Sequence, residues 1–231
     1  MRLLVVGHGR MGKLIEQHAS AYGFELAGVL DIDENRGGAG VTAERCRGVD
    51  VAVDFSTPEA TLATVPKLAA LGVNLVVGTT GWQAHEAELR EQVLAAGIGA
   101  VVAANFSLAA NLLDALTQAA GRMFSNSKSY GAFIHEAHHA AKKDAPSGTA
   151  LMLRRALERG GYALPVDMSS TRAGFIPGIH TVGFDGPAET LTLSHTVRDR
   201  ATLAYGALEA ARWVVGRKGW FSMRDVLGIE G

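Results

Sequence analysis

Apolar residues in the first hundred positions fall into short blocks, with glycine-rich turns or longer helical-period stretches between them. The blocks at 3–6, 25–30, 51–55, 73–77 and 98–103 have strand length. Residues 13–22, 56–71 and 84–96 carry the helical pattern, and Pro58 is tolerated in the first turn of the second of these. This alternation predicts an α/β unit with a parallel sheet. A helix over about 108–123 ends at a polar break, 125–129, and the pattern then changes. Strand 130–134, helix 150–157 and strands 168–172 and 190–197 follow. The last strand alternates Leu191, Leu193 and His195 against Thr192, Ser194 and Thr196. That arrangement predicts a second, α+β domain with an open mixed sheet and a helix on one face, and its alternating strand offers an apolar face and an edge. A helix over 202–215 closes the series.

With 231 residues, 48% of them hydrophobic, and with 28 Gly but 6 Pro, the chain suits a compact fold with many tight turns. Its 22 basic and 23 acidic residues leave a formal charge of -1, so no bulk field recruits nucleic acid or an anionic membrane. Strand, glycine turn and helix follow directly from Met1, and the apolar runs break well before eighteen residues. The expectation is a soluble, cytoplasmic protein. One cysteine, Cys46, excludes an internal disulfide and is expected to be peripheral, without a role.

The first strand runs into Gly7-His8-Gly9-Arg10-Met11-Gly12 and then a helix, the context that a G-x-G-x-x-G dinucleotide motif requires. Gly7 permits the tight turn, Gly9 the approach of a pyrophosphate, and Gly12 close packing of helix on strand. Asp31 ends the second strand about twenty residues on, where a carboxylate accepts from ribose hydroxyls. A polar, glycine-rich turn follows it, and Asp54 reads as a polar anchor at a strand end. Gly78-Thr79-Thr80-Gly81 ends the fourth strand, so it and the first glycine turn should line one crevice at the carboxyl edge of the sheet.

The densest polar chemistry is Glu136-Ala-His138-His139-Ala-Ala-Lys142-Lys143-Asp144-Ala-Pro-Ser147-Gly148-Thr149, between a strand and a helix. His138, His139, Lys142 and Lys143 supply donors and positive charge. Ser147, Gly148 and Thr149 place hydroxyls and backbone N–H groups at a helix start, where an anion is favoured. A small carboxylate or phosphate is the natural guest. No metal is expected, because adjacent histidines point apart, the H-E-x-x-H spacing is missing and Cys46 is remote.

This string closely resembles the signature E-x-H-H-x-x-K-x-D-x-P-S-G-T-A of the 4-hydroxy-tetrahydrodipicolinate reductase (dihydrodipicolinate reductase) family. Val53-Asp54-Phe55-Ser56, Gly78 to Gly81, Ala104-Asn105-Phe106-Ser107, a loop over 171–182 similar to R-A-G-x-x-x-G-x-H-T, and a closing M-x-D-V-L extend the resemblance over essentially the whole chain. It departs in a first glycine turn one residue tighter than in many members, a shorter segment after Asp31, Ile179 in place of an acid, and Ala140 and Ala141 in place of polar residues.

The resemblance implies a discontinuous nucleotide domain, 1–105 with 200–231, and a substrate and oligomerisation domain, 106–199, with crossings near Asn105 and Asp199. It implies NAD(P)H-dependent reduction of a cyclic dicarboxylate in lysine and diaminopimelate synthesis, and a homotetramer, with a dimer as the alternative. His138 and Lys142 are then catalytic, and His139, Ser147, Gly148 and Thr149 bind substrate. Gly7, His8, Gly9, Arg10, Met11, Gly12 and Asp31 bind the cofactor, with Gly78, Thr79, Thr80, Ala103, Ala104, Asn105 and Phe106 along its nicotinamide half. Arg172 and His180 become candidates for the site wall. Asp31 is followed by Ile32 and not by an arginine, and Asp33 and Glu34 add negative charge. These residues favour NADH over NADPH, while Arg10 and Arg36 could serve a phosphate. Another two-domain dehydrogenase, or a silent nucleotide-sensing protein on the same fold, are the competing readings.

Overall fold

In the computed structural model, which describes residues 1–229, the chain begins β1 (Arg2–Val6), α1 (Arg10–Ala19), β2 (Glu25–Leu30), β3 (Val51–Asp54), α2 (Pro58–Ala70), β4 (Asn74–Val77), α3 (Glu86–Ala96), β5 (Gly99–Val102). It continues α4 (Leu108–Phe124), β6 (Gly131–His138), α5 (Gly148–Arg159), β7 (Val166–Arg172), β8 (Ile179–Asp185), β9 (Thr190–Thr196). It closes with α6 (Ala201–Val214), β10 (Gly219–Phe221) and α7 (Met223–Val226). Met1–Leu108 and the chain from Ala201 onward form one compact unit, and Ala109–Arg200 forms a second.

The first unit is built on a parallel sheet of order β10-β5-β4-β3-β1-β2 among the described residues. Its inner strands β1, β3, β4 and β5 are apolar on both faces, as a sheet covered on both sides requires. Leu4, Val6, Ala52, Leu75 and Val77 face one core with Val65, Leu68, Leu89 and Val93 of α2 and α3. Leu3, Val5, Val51, Val53 and Val76 face the other, with Ile15 of α1 and Ala204, Ala207, Leu208, Ala211 and Val214 of α6. The small residues of α6 let it lie close to the chain after β5, and a Cβ at Gly206 would collide with the carbonyl oxygen of Phe106. The expectation that Cys46 is peripheral is overturned. The segment between β2 and β3 folds over the sheet, Val41 and Val49 close that end, and the thiol is buried with them at 7% exposure. Burial also raises its pKa.

In the second unit the order is β7-β6-β8-β9, with β6 and β7 parallel and the other neighbours antiparallel. Ala132, Ile134, Val182 and Phe184 form its apolar face and pack against Leu113 and Ala120 of α4 and Leu153 and Leu157 of α5. Two expectations change here. The strand predicted to stop at 134 runs to His138, and the segment read as a loop over 171–182 enters β8 at Ile179, because Val182 and Phe184 alternate onto the buried face. The apolar side of β9 is also less free than the alternation suggested, since Leu193 packs against this core while Leu191 stays 47% exposed. The opposite face is polar: Thr181 and Ser194 share a hydrogen bond at 2.9 Å, and His135 Nδ1 lies 2.9 Å from Ser169 Oγ. No helix among the described residues is long and apolar enough to cross a membrane.

Candidate active site

At the carboxyl ends of β1, β2 and β3, the first unit holds a cleft of about 440 Å³ lined by Gly7, His8, Gly9, Asp31, Asn35, Arg36, Ser56 and Thr57, among others. Gly7 has φ +87° and a Cβ on it would come 2.5 Å from Phe55 O, so only glycine fits this turn. A Cβ at Gly12 would strike the Gly7 carbonyl, while one at Gly9 meets nothing within 4 Å. That open approach at the start of α1, where N–H groups lack helical partners, fits a pyrophosphate. A neighbouring cavity of about 310 Å³ brings Gly9, Arg10 and Met11 together with Gly78, Thr79 and Thr80, as the crevice argument expected.

Several predicted cofactor residues are tied within the protein. Thr79 Oγ1 accepts from Ser56 N at 2.9 Å and donates to the buried Asp54 at 3.1 Å. Asp54 also accepts from Ser56 Oγ and Thr61 Oγ1, which makes it the anchor of this corner. Phe106 is 1% exposed and packs on Phe55, so it offers backbone only. Ala103 N–H bonds to Val77 O, Ala104 is exposed, and Asn105 Oδ1 accepts from Ser107 N–H. His8 Nε2 lies 2.7 Å from Glu16. Asp31 is exposed and accepts from its neighbour's N–H, and the guanidinium of Arg36 rests 3.3 Å from Asp33.

In the second unit β6 sets Glu136 and His138 on one face, two residues apart, and a tight turn follows in which Lys142 N–H bonds to His139 O. Lys142 Nζ holds both oxygens of Asp144 at 2.7 and 2.9 Å. Ser147 caps α5, accepting from Ala150 N–H at 3.2 Å, an interaction that stabilises a helix by about 1 kcal/mol. Gly148 and Thr149 form the first turn of α5, where backbone N–H groups have no helical acceptor. Register then brings in His180, paired with Glu136 across β6 and β8. Its Nε2 lies 3.0 Å from Ser147 Oγ and 3.3 Å from His138 Nε2. Arg172, at the end of β7, donates to Glu136 Oε1 at 2.6 Å and to the carbonyl of Asp144 at 2.5 Å, clamping the loop to the sheet.

The charges in this cluster are ordered by burial and by each other. Burial alone would raise the Glu136 pKa, but hydrogen bonds from Arg172 and Ser170 and the charges of Arg172 and His138 hold it below the usual carboxylate range. Burial lowers His138 against the opposing field of Glu136, and burial with the field of His138 takes His180 down to about 4. The Lys142 hydrogen bond holds Asp144 low. Donor atoms of Glu136, His138 and His180 lie within 4.8 Å of one another, a spacing one cation could use. Arg172 is already paired with that carboxylate at 2.6 Å, and Lys142 is paired with Asp144.

Glu136 and Asp144 join this cluster, and the sequence reading assigned neither a role. The signal for Glu136 was present, since a strand continued through 138 puts it beside His138 at period two. Asp144 stood in the K-x-D of the signature, but no periodicity showed that it would pair with Lys142 across a two-residue turn.

Two family models match the chain: the one described as dihydrodipicolinate reductase, N-terminus, over residues 1–106, and the one described as dihydrodipicolinate reductase, C-terminus, over residues 109–227. The chain is 36% identical over 246 residues to the 4-hydroxy-tetrahydrodipicolinate reductase of Methanoregula boonei, covering 96% of this chain and 95% of that protein. It is 36% identical over 269 residues to that of Cupriavidus necator, with both covered in full. Its fold is similar to that of dipicolinate-bound dihydrodipicolinate reductase from Paenisporosarcina sp. TG-14, with a TM-score of 0.83 at 21% identity over 100% of this chain and 99% of the other. A lesser likeness, TM-score 0.62 at 14% identity over 97% and 95%, links it to an amine dehydrogenase from Mycobacterium smegmatis. Because the family models meet between the two halves of the chain and the relatives match it end to end, the chain belongs to the dihydrodipicolinate reductase family of NAD(P)-dependent oxidoreductases.

Proposed function

We propose that the protein is a 4-hydroxy-tetrahydrodipicolinate reductase acting in lysine and diaminopimelate synthesis, with NADH preferred over NADPH. Its reaction converts 4-hydroxy-tetrahydrodipicolinate, NAD(P)H and a proton to tetrahydrodipicolinate, NAD(P)⁺ and water. The observation that carries this reading is the convergence, on one loop, of His138, His139, Lys142 and the open start of α5. When bound, the reduced nicotinamide supplies the hydride. The protein's own groups hold the dicarboxylate and manage protons.

Lys142 exchanges Asp144 for the substrate dianion and acts as clamp or proton donor. N–H groups of Gly148 and Thr149 take a carboxylate at the positive end of α5, and His139 supplies a further donor. Ser147 keeps that helix end in place through Ala150, and His138 serves as the acid/base group. The guest is thereby fixed at both ends, which is what hydride transfer to a ring carbon requires.

Pyridine-2,6-dicarboxylate titration with and without reduced cofactor tests the reading. Competitive binding that tightens with cofactor supports it, whereas no binding favours a different dehydrogenase or a silent nucleotide-binding protein. Assembly as a homotetramer through the second sheet, with a dimer as the alternative, is part of the same reading, and light scattering that returns a 24.2 kDa monomer would remove it.

A further inference from the structure

We infer that Glu136 and His180 are positioning residues that keep the proton of neutral His138 on Nε2, turned into the protein, and leave Nδ1 as the atom that faces substrate. The inference deepens the proposed function, on which it rests for the identity of His138 as the acid/base group.

Three observations lead to it. First, His138 Nε2 points inward. It lies 2.9 Å from Glu136 Oε2 and 3.3 Å from His180 Nε2, and the Glu136 side chain is 1% exposed. Second, Oε2 is a buried oxygen with no hydrogen-bond partner, although His138 Nε2 lies 2.9 Å away, while Oε1 is taken by Arg172. Third, only glycine backbone borders the other edge of the ring, and the His138 side chain keeps 13% exposure. Gly178, at φ +134°, lies against it, and a Cβ there would stand 3.2 Å from Cε1 and 3.3 Å from Nδ1.

Only two proton arrangements satisfy the contact between the two imidazoles. In one, His138 Nε2–H donates to the single lone pair of His180 Nε2, and the Ser147 oxygen accepts from Ala150 N–H. In the other, His180 Nε2–H donates to His138, whose bare Nε2 lone pair then faces a carboxylate oxygen 2.9 Å away. His180 Nδ1 has no hydrogen-bond partner in either case, so it makes only a small difference. Glu136 is ionised and clamped by Arg172, and an ion outweighs a neutral dipole in a buried site, so the first arrangement holds. Lys142, Arg172, Asp144 and His195 are the other charged or titratable groups that act on this pair. None of them touches His138 Nε2.

The consequence is a division of labour within one ring. Nδ1 takes up a proton and returns it on the substrate side, and the carboxylate stabilises the imidazolium that exists in between. The Nε2 proton never leaves. This is the role a buried carboxylate plays behind a catalytic histidine, where the wrong tautomer costs turnover with the geometry intact.

Glu136→Gln tests it. Arg172 requires the amide oxygen, so the amide NH2 turns onto His138 Nε2 and drives the proton to Nδ1. Long-range proton–nitrogen NMR of histidine-labelled protein, with His138 assigned by His138→Gln, should read the Nε2–H form in the unmodified protein near pH 8 and the Nδ1–H form in E136Q. Turnover in E136Q should fall by about 10²–10⁴-fold with reduced-cofactor affinity unchanged. An Nδ1–H signal in the unmodified protein overturns the inference, and so does E136Q with unaltered tautomer. The NMR result needs no substrate, so a protein that fails the pyridine-2,6-dicarboxylate titration while showing Nε2–H would lose the proposed reaction and keep the positioning.

Discussion

Replacing Asp31 with serine should erase the proposed preference for NADH, which rests on one exposed charge. Asp31 ends β2 at the cleft with Gly7 and Gly9, and the nearest arginine in sequence, Arg36, is engaged with Asp33 at 3.3 Å. A 2'-phosphate carrying about -1.5 to -2 charges at about 5 Å from the carboxylate, in water's dielectric, meets a repulsion of about 1.2–1.7 kcal/mol, or roughly tenfold. Screening at 0.1 M salt reduces this to about 1 kcal/mol, roughly fivefold, and at 1 M to about 0.3 kcal/mol, less than twofold. The assay is kcat/KM for NADH and NADPH in both proteins at low and high salt. The unmodified ratio should favour NADH and shrink as salt rises, while Asp31→Ser should give a ratio near one at every salt concentration. Equal or better use of NADPH by the unmodified protein at low salt would refute the reasoning. It would mean that Arg10 turns to the phosphate or that Arg36 leaves Asp33.

Lys142→Ala should lower turnover by roughly 10²-fold and leave cofactor affinity unchanged, because in the proposed reaction the ammonium meets only the second substrate; steady-state kinetics with fluorescence titration of reduced cofactor checks this. Gly206→Ala gains about 1 kcal/mol of helix propensity, yet its Cβ collides with the Phe106 carbonyl, so overpacking at the upper end of about 1–3 kcal/mol should prevail and thermal unfolding should show a net loss of about 1–2 kcal/mol. His180, held at about 4, binds its proton more weakly folded than unfolded, so its contribution is complete above about pH 6.5 and disappears as pH falls toward 4. That amounts to about 3 kcal/mol, and His180→Gln should flatten the fall in denaturant midpoint across this window; parallel curves would count against it.

The first unit was legible because its strands are buried on both faces and its glycine turn has a stereochemical requirement at Gly7 and Gly12. Position and type followed from local pattern for β1 to β5, while the three-residue β10 was too short to read. The second unit was harder. A strand that ends in Glu136 and His138 breaks the apolar run that marks strands, and Gly183 interrupts the alternation of β8 where the Phe133 ring fills the missing side chain. His180 was a site candidate by resemblance, but its neighbours were set by strand register, which no local pattern carries. Cys46 was misplaced for a related reason, because a polar, glycine-rich segment gives no period from which burial can be read.

The sheet of the first unit is finished by parts of the chain made last. α6 covers the face that carries Leu3, Val5, Val51 and Val53, and β10 pairs with β5, yet the whole of Ala109–Arg200 is synthesised between β5 and α6. On the ribosome, the inserted unit has all of its strands before the first unit has its sixth. Until Ala201–Val214 emerges, the nascent first unit shows an apolar sheet face to the cell, and β5 remains an open edge until Gly219–Phe221 arrives. Biosynthesis therefore runs inside out for this fold, and the interval between the two halves is when the chain is most exposed to chaperones and to other copies of itself.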